Sequence, residues 1–160
     1  QHLLGILGSS AITAYFGFLD VGKPRAGELL LISAAAGGIG SIVSQLGKLA
    51  GCNVVGIAGG PQKCAWLTDE VGVDAAVDYK SHDFVEQLGQ ASGSGYDLFF
   101  DNTGGPILEA TLNVMRDHGR IVCCGNTAQY NVSTFISSTK GLPFTLILKS
   151  LTMTGFVMMT

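Results

Sequence analysis

No aspartate or glutamate falls between Glu28 and Asp69. Charge is sparse elsewhere too: Asp, Glu, Lys and Arg make up 13% of the 160 residues, and the net charge is −3. No basic cluster offers itself to nucleic acid or to an anionic lipid surface, so neither is expected as a partner. The four cysteines, Cys52, Cys64, Cys123 and Cys124, form no C-x-x-C pair, and of the three histidines His2 and His82 lie far from them in sequence. A metal site is therefore not expected, and thiols inside apolar strands suit a reducing, cytoplasmic setting. The uncharged run from Leu29 to Gly47 is long enough to cross a bilayer, but Gly37, Gly38 and Gly40 interrupt it, with Ser33, Ser41, Ser44 and Gln45 around them. A strand, a turn and a buried helix explain that run better than a membrane span.

Glycine is what the chain has in excess. Its 23 glycines are about double the usual ~7% share, which suits a fold with many strand-to-helix turns and close backbone approaches. The length suits one domain over residues 1–160. The opening Gln1-His2 and the apolar ending Phe156-Val157-Met158-Met159-Thr160 read as the bounds of a piece of a longer protein.

Short β-branched runs alternate with helical stretches, the pattern of parallel βαβ units. Strands are expected at Leu29–Ser33, Asn53–Ala58, Ala75–Asp78, Asp97–Asn102, Arg120–Cys124 and Thr152–Val157. Helices are expected at Gly40–Leu49, Gln62–Val71, Asp83–Ala91, Ile107–Met115 and Pro143–Lys149, with a further helix capped by Ser10 and running to about Asp20. Several strands are apolar on both faces. The fold class is thus α/β: a doubly wound, Rossmann-type parallel sheet of six strands with helices on both faces.

The run Leu29-Leu30-Leu31-Ile32 leads straight into Ala35-Ala36-Gly37-Gly38-Ile39-Gly40 and then a helix. This is G-x-G-x-x-G with alanine at its first position. Gly37 would let the backbone approach a pyrophosphate, and Gly40 would let the helix pack on the strand. The helix start offers free N–H groups to the phosphates.

The end of the second strand separates two nucleotide classes. An NAD site wants a carboxylate there for the ribose 2′-hydroxyl. This chain has Ala58-Gly59-Gly60-Pro61-Gln62-Lys63 instead. Pro61 suits the first helical position, which puts Lys63 in the first turn, where a cation opposes the helix dipole by ~0.3–1 kcal/mol. A 2′-phosphate beside that helix would reverse the sign, so the expected cofactor is NADP(H). A solvated lysine pointing away is the alternative.

With these features in view, the sequence resembles the zinc-independent medium-chain dehydrogenases/reductases, in the leukotriene/prostaglandin and curcumin reductase branch. The stretches carrying the resemblance include Thr13-Ala14-Tyr15-Phe16-Gly17, Ala34 to Ser41, Gly51 to Gly56, Asp78-Tyr79-Lys80, Asp101-Asn102-Thr103-Gly104-Gly105 and Cys124-Gly125 through Gln129-Tyr130-Asn131. The resemblance covers that family's cofactor domain, without the substrate-side domain. It implies that Gly37, Gly38, Ile39 and Gly40 carry the pyrophosphate, while Lys63 and Tyr79 flank the 2′-phosphate and adenosine. Asn102 would face the cofactor. Cys124, Gly125 and Tyr130 would line the nicotinamide-ribose side, and Phe156 and Val157 would approach the nicotinamide. Plainer roles stand beside these: Tyr79 as a rim aromatic, Asn102 as the maker of an Asx-turn, Gly125 as a turn residue.

The resemblance further implies an enzyme that reduces a carbon–carbon double bond conjugated to a carbonyl, with NADPH as hydride donor and a small enone as substrate. It also implies a homodimer paired through the edge strand Thr152–Val157. Some relatives carry a substrate-side tyrosine where this chain reads Thr145-Leu146-Ile147-Leu148-Lys149, so no proton donor and no catalytic residue is assigned. A short-chain dehydrogenase is excluded, because no tyrosine has a lysine four residues later. A quinone or aldehyde reductase of the same superfamily, or a non-catalytic NADP(H)-binding module, remains an alternative.

Overall fold

Alternate side chains along each strand point to opposite faces of a sheet, so a strand apolar at every position must feed two cores. The computed structural model, which describes residues 8–130 and 141–158, has that arrangement. The strands are β1 (Leu29–Ile32), β2 (Asn53–Ala58), β3 (Ala75–Asp78), β4 (Tyr96–Asp101), β5 (Met115–Cys123) and β6 (Thr152–Gly155). Leu30, Ile32, Val54, Leu98, Phe100 and Val122 are buried on one face, and Leu31, Val55, Ile57, Val77, Phe99 and Ile121 on the other.

Helices cover both faces. The first core receives Ala14 of α1 (Ser9–Tyr15), Phe18 of the π-helical turns that extend α1 to Gly22, and Val43 of α2 (Gly38–Leu49). Cys64 of α3 (Pro61–Trp66) and Leu67 of the π turn beyond it pack there as well. The second core receives Leu88 of α4 (Phe84–Ser92), Leu108 and Leu112 of α5 (Gly105–Val114) and Leu142 of α6 (Leu142–Lys149).

The strand order is β3-β2-β1-β4-β5-β6, with every neighbouring pair parallel. This is the doubly wound α/β fold expected from the alternation. The chain order reverses between β1 and β4, and their carboxyl ends open the crevice where such sheets hold ligands.

Some boundaries differ from expectation. β5 begins at Met115, ahead of Arg120, and α5 stops at Val114. Tyr96 pairs with Met115, the register then shifts, and pairing resumes at Leu98 with Arg120. The residues between bulge out, with His118 in the left-handed region at φ 62°. The segment lies between the helix expected to Met115 and the strand expected from Arg120, whereas pairing with β4 at Met115 and again from Arg120 makes it a bulge within one strand. At the other end, Ser10 does not cap α1: Gly8 holds the N-cap position and no side chain bonds there.

Opposite the crevice, Arg120 fixes the amino-terminal edge of the sheet. Its guanidinium donates to both carboxylate oxygens of Glu28, at 3.0 and 2.6 Å, and through Nε to the Gly22 carbonyl at 3.0 Å. The bidentate pair ties the segment before β1 to β5.

Candidate functional site: a groove at the carboxyl ends of the strands

The turn from β1 into α2 is tight because Ala34 takes a left-handed conformation, φ 48°, that non-glycine residues seldom adopt. The Ala34 carbonyl accepts the Gly37 N–H at 2.9 Å, and the Ala35 N–H donates to Ile57 of β2 at 2.9 Å. At Gly40 a Cβ would lie 2.7 Å from Ala35 Cα and still nearer the Ala34 carbonyl oxygen. Gly40 therefore lets helix and strand touch, the role expected of it. Gly37 stands at the N-cap of α2 with no side chain capping the helix, so its first N–H groups remain for an anion.

A groove runs across this turn. One stretch, about 330 Å³, is lined by Gly37, Gly38, Ile39, Gly40, Asn102, Cys124, Gly125 and Tyr130, together with Ser10 and Thr127. A second, about 360 Å³, lies between Tyr79 and Pro106-Ile107. A third, about 170 Å³, brings Lys63 beside Tyr79, Gly59 and Gly37. Ala34 borders all three, so they lie side by side around the turn.

Ten of the expected site residues thus meet in one groove, although they come from five separate parts of the chain. Phe156 and Val157 do not line it. The Phe156 ring packs onto Gly17, where a Cβ would lie 2.7 Å from its Cε1, and Val157 is exposed. The loop between Tyr130 and Gly141, which includes Asn131, lies outside the described residues.

At the Lys63 end, the Tyr79 ring covers Gly59, and the Lys63 ammonium makes no ion pair or hydrogen bond among the described residues. The acid-free stretch is free of acids only along the chain. Folding brings in Asp78, whose Oδ1 accepts the N–H of Gly60 at 2.8 Å and of Lys80 at 2.9 Å. Those two amides, Gly60 first, hold its carboxyl below the usual carboxylate range.

At the other end, Asn102 does not make the Asx-turn. Asp101 does: its Oδ1 accepts the N–H of Thr103 at 2.9 Å and of Gly104 at 3.1 Å. Asn102 instead donates through Nδ2 to the Ser33 carbonyl at 2.8 Å, and its Oδ1 is buried with no partner among the described residues. The loop after β5 is stitched onto β4: Cys124 N donates to Asp101 O at 2.8 Å and Ala128 N to Thr103 O at 3.0 Å. Gly125 permits this approach, since a Cβ there would lie 2.8 Å from the Asn102 carbonyl oxygen. Burial, with Asp101 close by, pushes the Cys123 and Cys124 thiols up to about 11.

Unread in the sequence are the left-handed backbone of Ala34, the bonds that Asp78 makes to Gly60 and Lys80, and the roles of Ser33 and Asp101. The last two were within view, because a serine and an aspartate at the ends of neighbouring strands can meet. Nothing local signals the left-handed Ala34.

Comparison with known proteins matches these features. Residues 38–160 match the family model described as zinc-binding dehydrogenase; among the described residues no three His, Cys, Asp or Glu side chains gather to hold a metal. The chain is 40% identical over 157 residues to the NADPH-dependent curcumin reductase of Escherichia coli (strain K12), covering 96% of this chain and 46% of that protein. It is 44% identical over 155 residues to prostaglandin reductase 1 of Bos taurus, covering 96% and 46%. The solved structure of CurA in complex with NADPH from Vibrio vulnificus superposes with a TM-score of 0.92 at 40% identity, covering 98% of this chain and 47% of that one. The chain spans about half the length of the curated relatives it matches. It belongs to the zinc-independent medium-chain dehydrogenase/reductase family, in the curcumin and prostaglandin reductase branch, and represents the cofactor-binding part.

Proposed function

We propose that this chain is the NADPH-binding part of a reductase acting on carbon–carbon double bonds conjugated to a carbonyl. The observation that carries the reading is the groove itself. It joins an uncapped helix start over Gly37, Gly38 and Gly40 at its centre to Lys63 at one end and the Asn102 Oδ1 at the other, both without a partner among the described residues.

The fit of a dinucleotide phosphate is supported at each point. Backbone N–H groups at the start of α2 suit the pyrophosphate. Lys63 suits a 2′-phosphate, with the Tyr79 ring beside the adenosine. The buried Oδ1 of Asn102 suits a hydrogen-bond donor near the nicotinamide. When bound, NADPH supplies a hydride to the β-carbon of an enone, and a proton completes the reduction at the α-carbon. The residues here bind and orient; the proton would come from water, a ribose hydroxyl or a side chain, and residues completing the substrate side would come partly from outside this chain. Relatives named for curcumin and prostaglandin reduction support the substrate class. The family resemblance supports a homodimer, paired through β6 at the edge of the sheet.

The test is twofold. Calorimetric titration of the chain with NADPH and NADH should show preference for NADPH. The full-length parent should then oxidise NADPH with long-chain and aromatic enones. Tight binding without turnover on enones, aldehydes and quinones would instead mark a binding module.

A further inference from the structure

Asp101 ends β4 with 1% of its surface exposed, yet no lysine, arginine or histidine pairs with it among the described residues. Neutral donors hold its carboxylate. The Ser33 hydroxyl donates at 2.8 Å, the Thr103 N–H at 2.9 Å, the Thr103 hydroxyl at 3.0 Å, and the Gly104 N–H at 3.1 Å to each oxygen.

An ionised carboxylate only accepts hydrogen bonds, so the single hydroxyl hydrogen of Ser33 is committed to Asp101. Ser33 Oγ is then left as an acceptor, and it takes the Asn102 N–H at 2.8 Å. The Ser33 carbonyl is an acceptor as well, and it takes Asn102 Nδ2 at 2.8 Å. The hydroxyl, held by Asp101, thus anchors the Asn102 main chain, and the carbonyl, which any residue at position 33 keeps, faces the Asn102 amide through nitrogen. The amide oxygen is turned the other way, on a residue that lines the groove beside Gly40 and Cys124. Oδ1 has no partner there among the described residues. A buried acceptor without a donor is destabilising, and a ligand donor would relieve that.

We infer that Asp101 and Ser33 are positioning residues, which hold Asn102 as a hydrogen-bond acceptor for a donor on the nicotinamide half of the cofactor. The inference rests on the NADPH reading of the groove. The donor is a carboxamide N–H or a hydroxyl of the nicotinamide ribose; a carboxylate or phosphate oxygen at that point meets another acceptor.

The full chain is titrated with NADPH and with adenosine 2′,5′-bisphosphate, which lacks the nicotinamide half. For Ser33→Ala the NADPH affinity should fall about tenfold, the scale of one lost buried hydrogen bond, with bisphosphate affinity unchanged. Ser33→Thr keeps the hydroxyl and should restore NADPH binding. Adding Ser33→Ala to Asn102→Ala should cost nothing beyond Asn102→Ala alone, because the serine acts through the asparagine. Equal losses on both ligands, or additive losses, would overturn the positioning role.

A second measurement needs no variant. The wild-type chain is offered the analogue of the cofactor with a carboxylate in place of the carboxamide, and the analogue lacking the nicotinamide-ribose hydroxyls. A loss of tenfold or more for the first identifies the carboxamide as the donor, and for the second a ribose hydroxyl. Binding of both as tightly as NADPH would overturn the inference. Failure of the wild-type chain to bind NADPH would overturn the cofactor reading and this inference together.

Discussion

The ring of Tyr79 lies directly on Gly59: a Cβ at position 59 would stand 2.8 Å from Tyr79 Cε1 and 3.0 Å from Cζ and the hydroxyl oxygen. The absence of a side chain at the end of β2 thus seats an aromatic from the end of β3. Gly59→Ala should push the ring aside. Because Tyr79 is exposed, the cost in stability should stay within about 0.5 kcal/mol. NADPH affinity should fall about threefold to tenfold, the worth of one aromatic contact. Unchanged affinity in calorimetry would deny Tyr79 a part in binding.

Lys63→Ala tests the choice of nucleotide. A charge-assisted hydrogen bond to a phosphate is worth about 1.5–3 kcal/mol, so NADPH affinity should drop roughly tenfold to a hundredfold. NADH, without the 2′-phosphate, should be almost unaffected. Equal losses for the two nucleotides would sink the assignment.

Gly40→Ala should be the most damaging small substitution in the turn. Its Cβ meets backbone at Ala34 and Ala35, and backbone cannot swing away as a side chain can. Overpacking of this kind costs about 1–3 kcal/mol. Thermal unfolding should show a lowered Tm, and NADPH binding should weaken with it. A wild-type Tm would show that the turn relaxes.

The Cys124 thiol borders the groove yet should resist alkylation, because burial and the Asp101 charge push it up to about 11. At pH 8 on the order of one molecule in a thousand would carry the thiolate. Iodoacetamide labelling followed by mass spectrometry should be slow at pH 8 and rise steeply towards pH 11. The same shift makes a stability prediction. Cys123 and Cys124 ionise near 9 in the unfolded chain and near 11 in the folded one, so the unfolded state loses protons first. Stability contributed by the protonated thiols is full below about pH 9 and is lost as pH rises through 11. Denaturation midpoints across that range would check the sign.

β6 pairs with β5 on one side and has no strand on its other side among the described residues. Ile147 on α6, in the segment just before it, is 75% exposed. Sedimentation should find a dimer, and Ile147→Glu should favour the monomer with little loss of stability. A wild-type monomer at high concentration would contradict the dimer.

The features legible along the chain are local. The apolar run Leu29–Ile32 followed by Gly37 and Gly40 specifies strand, turn and helix, because the glycines are needed within a few residues of where they stand. Two-sided apolar strands separated by helices specify a parallel sheet covered on both faces, since each strand must bury both sides. The place of Lys63 follows from Pro61 in the same way. Which distant groups meet depends instead on how the strands are arranged in space. Ser33 reaches Asp101 and Asn102 because β1 lies beside β4. Asp78 reaches Gly60 because β2 lies beside β3. The extension of β5 to Met115 likewise depends on Tyr96 as a partner across the sheet. Short-range sterics and periodicity act along the chain and can be read from it, whereas the polarity of a hydrogen-bond network depends on strand order and register.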